Sequence, residues 1–294
     1  VVAVPVLVDL IVMLGMLVIV PMGLRLAEAP ETGPAVRLWP LFAVPGALSL
    51  WLPRGTTATA LACVYAAGAL LLASAAARRA AAHRSLAPAE VALGTALVSP
   101  AVAATALVAE RSGYPLFGFD LEILDLTVPH FHYAGFAAAL VAGLVHRAAP
   151  GSRPAAFAAL SVPLGTLLVL LGYFVDDWAE LAGAVVLTAG MWTVGLLTWR
   201  DVRASTGDRV ARALLAVSAA VLVATMLLAL GWAVGQATGL PHPSLAWMAA
   251  THGVANALGF ALCSLLAWHR LPRPAPGPLP RPRTAAPHHE ETPA

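Results

Sequence analysis

The chain has 294 residues, of which 60% are hydrophobic and only 11% charged, and its mean hydropathy is +0.81. Soluble domains carry about a quarter charged residues, so this composition excludes a water-soluble globule. Two cysteines exclude a disulfide scaffold, and a net charge of +2 with no basic patch interleaved with aromatics excludes a nucleic-acid binder. An all-α, polytopic transmembrane helical bundle is the expected class, with the lipid bilayer as its first partner.

Nine apolar runs are long enough to cross a bilayer: 4–26, 36–52, 56–77, 89–109, 127–146, 156–175, 179–199, 210–234 and 245–269. The second is short and holds Pro40 and Pro45, which leaves eight crossings as an alternative. The first is too long, and too well followed by further spans, to be read as a cleaved signal. Residues 1–269 are therefore taken as the membrane domain. Residues 270–294, rich in proline and arginine, are expected to form a disordered cytoplasmic tail; His288 and His289 are read as solvated there.

All 17 basic residues are arginine, and the nine spans put 15 of them on one side. Only Arg54 and Arg111 fall on the other. The positive-inside rule then places the N-terminus outside and the C-terminus in the cytoplasm of a multi-pass cell-membrane protein.

That orientation gathers the acidic residues. Asp9 lies in the outer half of span 1. Glu110, Asp120, Glu122 and Asp125 flank the loop between spans 4 and 5, and Asp176, Asp177 and Glu180 form the turn between spans 6 and 7. An ionisable group at mid-membrane costs roughly 2.5–3.5 kcal/mol, so it usually faces a cavity or a partner. Asp9, Asp176 and Asp177 are candidate acids. Asp120, Glu122 and Asp125 are candidate polar lining, or simply wet loop residues.

The stretch Thr127–Phe136 reads TVPHFHYAGF. Thr127 is expected to cap a helix and Pro129 to sit in its first turn. His130 and His132 are then about 200° apart, with His130 and Tyr133 on one face and His132 and Phe136 on another. Distortion at the helix start leaves a shared site open. In span 9, His252, Asn256 and Gly259 share a face at i, i+4, i+7; the first two either bond across helices or serve the site, with Asn256 as a candidate substrate-binding residue. His130, His132 and His252 are candidate bases or relays. Neither HExxH nor a set of histidine boxes is present, so no metal or other cofactor is expected. No Walker A loop, nucleotide fingerprint, nucleophile elbow or pair of DDxxD motifs occurs; Asp176–Glu180 matches DDxxE only superficially.

Three stretches carry a resemblance: GMLVIVPMGLR from Gly15, PHFHYAGF from Pro129, and His252-Gly253 with Asn256 and Gly259-Phe260. They resemble the YndJ-like family of bacterial integral membrane proteins, over residues 1 to about 269. Family members are often labelled transporters. Some actinobacterial relatives are associated with indole sesquiterpenoid (meroterpenoid) pathways as membrane-bound terpene cyclases. The resemblance thus implies proton-initiated cyclisation, an isomerase-type reaction, of a lipid-soluble prenylated, indole-linked substrate or of its epoxide. Such chemistry needs an acid, a base and an apolar pocket whose aromatics stabilise carbocations. Tyr133, Phe136, Tyr173, Trp178, Trp192 and Trp247 are the candidate aromatics. A carrier or binder of a lipophilic small molecule using the same pocket is the alternative, and a bundle whose polar residues only hold helices together is the third reading.

Overall fold

The computed structural model describes residues 4–272, and every regular element among them is helical. The chain runs through α1 (Val4–Leu14) and α2 (Val20–Ala27), which a π-helical stretch Gly15–Ile19 joins into one crossing. Then come α3 (Gly33–Ser49), α4 (Thr56–His83) and α5 (Pro88–Ser112). Next, α6 (Leu121–His130) continues through π-helical Phe131–Ala138 into α7 (Ala139–Ala148). α8 (Arg153–Gly172), α9 (Asp177–Leu197) and α10 (Arg209–Thr238) follow. The last crossing joins α11 (Leu245–Met248), two π-helical stretches (Ala249–Gly253 and Ala255–Leu262) and α12 (Cys263–Arg270).

Among the described residues, eight helices are long and apolar enough to span a membrane, and the chain is a multi-pass membrane protein. Lipid offers the backbone no hydrogen-bond partner, so each crossing stays helical. α3, with Pro40 and Pro45 inside it, has 17 residues, against 20 for the shortest of those eight. Its two ends are nevertheless pinned at opposite ends of the bundle. Just before it, Glu31 pairs with Arg79 at 3.3 Å, beside the α4–α5 connection. Just after it, the Leu50 and Leu52 carbonyls accept from Arg111 Nη1 at 3.2 and 3.5 Å, at the far end of α5. α3 therefore makes a ninth pass.

The expected spans match these helices, with two differences of six residues. The third, expected to end at 77, runs on to His83. The fifth begins at Leu121, not 127, so Thr127 and Pro129 lie inside the helix instead of opening it. Thr127 spends its hydroxyl on the Ile123 carbonyl at 2.7 Å. Of the acidic residues that made this turn look like loop, Glu122 is exposed, while Asp125 is partly buried beside the charged groups Glu110, Asp9, Arg111 and Arg54. Of the expected 270–294 tail, all but the first three residues lie outside the described range.

α8 and α9 form the closest hairpin. A Cβ on Gly165 would fall 2.5 Å from the Leu187 backbone, and one on Gly183 would fall 2.5 Å from the Val169 nitrogen. Small residues allow this approach, and packing rather than hydrophobicity holds helices together in lipid.

Three of the π-helical stretches meet at the centre of the molecule: Gly15–Ile19, Phe131–Ala138 and Ala255–Leu262 touch pairwise. Widened turns strain the backbone hydrogen-bond ladder and concentrate at functional sites. Side chains from other helices satisfy carbonyls here. Trp39 Nε1 donates to the Met16 carbonyl at 2.8 Å, and Thr166 donates to that of Ala134 at 3.3 Å.

Candidate functional site

One cavity of about 340 Å³ opens at the Arg54/Arg111 end of the bundle, a volume in the range of small-molecule sites. Its walls come from α1, α5, α6 with its π-helical continuation, α8, α9, α10 and the last crossing. The lining is mostly apolar. α9 contributes a stripe at helical spacing, Glu180, Ala184, Leu187, Thr188 and Met191. The mouth is aromatic: Phe119 packs edge-on against Phe174 at 5.2 Å and Tyr173 at 6.3 Å, and Phe117 meets Phe174 at 5.5 Å. Burial and the charge of Glu180 both hold the Tyr173 phenol above its ordinary value, so it stays protonated.

The π-helical stretch separates the two neighbouring histidines. His130 lines the cavity with Phe131, Tyr133 and Ala134. Its Nε2 is buried without a hydrogen-bond partner. His132 points the other way and is fully buried. Its Nδ1–H donates to the Val128 carbonyl at 2.8 Å. A carbonyl can only accept, so Nε2 is left to accept from the Tyr65 hydroxyl, at 2.6 Å. Gly15 lets α1 pass over this ring; a Cβ there would lie 2.9 Å from His132 Cγ.

His252 lines the cavity opposite, in a closed ring of hydrogen bonds. Its Nδ1–H donates to the Thr225 carbonyl at 2.8 Å, its Nε2 accepts from Asn256 Nδ2 at 3.1 Å, and Asn256 Oδ1 accepts from the Thr225 hydroxyl at 3.0 Å. Both ring nitrogens are engaged, so this histidine is held rather than poised. The three histidines do not converge on one point. Among the described residues, no group of three histidine, cysteine or carboxylate side chains is arranged to hold a metal.

The carboxylates fall into two groups. Glu180 is 8% exposed and lines the cavity, with no hydrogen-bond or ion-pair partner among the described residues. Asp176 and Asp177 are exposed on the rim beside it; the Asp176 carboxylate accepts from the Ala179 N–H at 2.8 Å and caps α9. Asp9 and Asp125 are not part of the lining. They face a charged cluster around Glu110, which is wholly buried and held by Arg54 at 2.7 Å and by Arg111. Asp125 Oδ1 is buried there without a hydrogen-bond partner. Asp120 and Glu122 are exposed.

Among the aromatics, Tyr133 and Tyr173 reach the cavity, and Tyr133 donates to the Ile11 carbonyl at 2.8 Å. Phe136 packs on Gly23, away from it. Trp178, Trp192 and Trp247 lie on the outer surface. The tryptophan that does line the cavity is Trp232, and with Glu180 it was not singled out by the sequence. The α9 stripe was the available signal for Glu180; Trp232 shares its helix face with Ala229 and Ala233, which carry none.

The Gly15, Pro129 and His252 stretches behind the resemblance all lie in the crossings that build this centre. A family model described as YndJ-like protein matches residues 10–260. Curated proteins and solved structures give no match. The match covers the cavity, its histidines and Glu180, and most of the chain: the protein belongs to the YndJ-like family.

Proposed function

We propose that the protein is a membrane-embedded acid–base enzyme, a terpene cyclase that starts and ends its reaction with a proton and acts on a lipid-soluble prenylated substrate. One observation carries this reading: Glu180 and His130, each without a hydrogen-bonding partner among the described residues, face the same mostly apolar cavity. A carboxyl and an imidazole left unpaired in such a place are suited to moving protons. Glu180 takes the acid role in place of Asp9 and Asp176, because Asp9 faces the charged cluster and Asp176 is spent as a helix cap.

In this reading Glu180 delivers a proton to an alkene or epoxide. The developing cation is stabilised by the faces of Phe131, Tyr133, Tyr173 and Trp232. His130 removes the final proton, and Tyr133, already donating to Ile11, stays out of the exchange. The product is an isomer of the substrate. In this reading the mostly apolar walls keep water from quenching the carbocation. With the orientation taken from the arginine distribution, the mouth in this reading lies on the outer face and a lipophilic substrate reaches it from the bilayer.

The test is mass spectrometry of membranes expressing the chain, fed farnesylated indoles and their terminal epoxides. A product of unchanged mass, lost in Glu180→Gln and in His130→Asn but kept in Asp9→Asn, supports the reading. Unchanged substrates with folded protein overturn it. Movement of the unaltered compounds across vesicles would then assign the pocket to a carrier.

A further inference from the structure

The cavity is a well with a polar rim and an apolar floor. Glu180 stands at the rim, next to the exposed Asp176 and Asp177. At the other end the lining closes on Ala138, Met191, Met226 and Phe260, which are between 1% and 7% exposed. The α9 wall runs 11 residues from Glu180 to Met191, about 16 Å at 1.5 Å per residue. With carbon–carbon bonds of about 1.5 Å, an extended chain advances roughly 1.25 Å per carbon. The well therefore takes about a dozen carbons in line. Thr188 and Asn256 line the well one turn above Met191 and Phe260, and the Asn256 amide is taken up by His252 and Thr225, which leaves the end of the well itself apolar.

From this geometry we infer that Phe260 and Ala138 form a molecular ruler: they set the length of the apolar chain that the well accepts, with a farnesyl-length chain filling it. Phe260 closes the well from the last crossing, and Ala138 closes it from the end of the π-helical stretch. Truncating the ring extends the space downward. Enlarging the alanine raises the floor. The inference rests on the lipophilic ligand of the proposed function, and does not depend on its chemistry.

The experiment uses the purified full-length protein in nanodiscs and measures binding of geraniol, farnesol and geranylgeraniol. Farnesol is expected to bind best to the unaltered protein. Phe260→Ala shifts the preference toward geranylgeraniol, and Ala138→Leu shifts it toward geraniol, each by about tenfold, the scale of a few buried methylenes. Retained binding of geraniol by both variants, with unchanged helical circular dichroism, shows that the fold survives. If both folded variants rank the three alcohols as the unaltered protein does, the ruler is wrong. Ruler-like binding with no isomerised product in the feeding experiment would instead keep the ruler and discard the reaction.

Discussion

The Tyr65 hydroxyl sits 2.6 Å from His132 Nε2, with both side chains wholly buried. The pair joins α4 to the π-helical stretch that follows His130. Because His132 Nδ1 already donates to the Val128 carbonyl, its Nε2 accepts from Tyr65. Tyr65→Phe keeps the packing against Trp39, whose ring lies 5.8 Å away, and removes only the hydroxyl. It leaves a buried nitrogen unpaired. A loss of about 1–3 kcal/mol follows, measurable as a lower unfolding temperature in detergent.

Glu110 offers a contrast between two arginines on one carboxylate. Arg111 is 8% exposed and also donates to carbonyls at the end of α3. Arg54 has a side chain that is 52% exposed. Removing the buried partner strands charge and frees a helix end, so Arg111→Gln costs about 3 kcal/mol. Arg54→Gln costs about 0–1 kcal/mol, as exposed pairs do. Chemical denaturation of the two variants side by side distinguishes them. Equal losses would mean that Arg111 contributes no more than a surface pair.

Much of the fold was legible because hydropathy is a local property. Each crossing announces itself in about 20 consecutive residues, and even α3 showed its proline-broken run. The separation of His130 from His132 was legible too, since two residues of helix turn a side chain to the opposite face. What stayed hidden depended on distant partners. Tyr65 lies 67 positions from His132, and no local pattern links them. Asp9 looked like a buried acid in an apolar helix, yet the charges it faces belong to Arg111 and Glu110 on another helix. Glu180 was overshadowed by Asp176 and Asp177, which stand on the same turn but point to water.

Asp208 and Arg270 pair at 2.8 Å where α10 begins and the last crossing ends. The hydrogen bond from Arg270, helped by the N–H groups of Val210 and Ala211, holds the Asp208 carboxyl below its ordinary value of 3.8. A carboxylate with a depressed folded-state pKa adds stability above its unfolded value and loses it as pH falls through the folded one. The difference in unfolding temperature between the unaltered protein and Asp208→Asn should be constant from neutral pH down to about 5 and should disappear in stronger acid. A difference that instead grew on acidification would contradict the sign of the shift.

Glu180 and Asp176 are four residues apart at the start of α9, and their roles separate under matched substitutions. Asparagine caps a helix about as well as aspartate, so Asp176→Asn leaves both stability and turnover near those of the unaltered protein. Asp176→Ala removes the bond to the Ala179 N–H and costs about 1 kcal/mol of stability, with turnover retained. Glu180→Gln leaves the fold intact, because no ion pair or hydrogen bond depends on that carboxylate, and lowers turnover by about 10²–10⁴, the usual contribution of a general acid. Paired measurements of unfolding temperature and product formation read the two effects apart. Turnover that followed Asp176 instead of Glu180 would move the proton donor from the buried carboxylate at the rim to its exposed neighbour, and the burial of Glu180 would need another explanation.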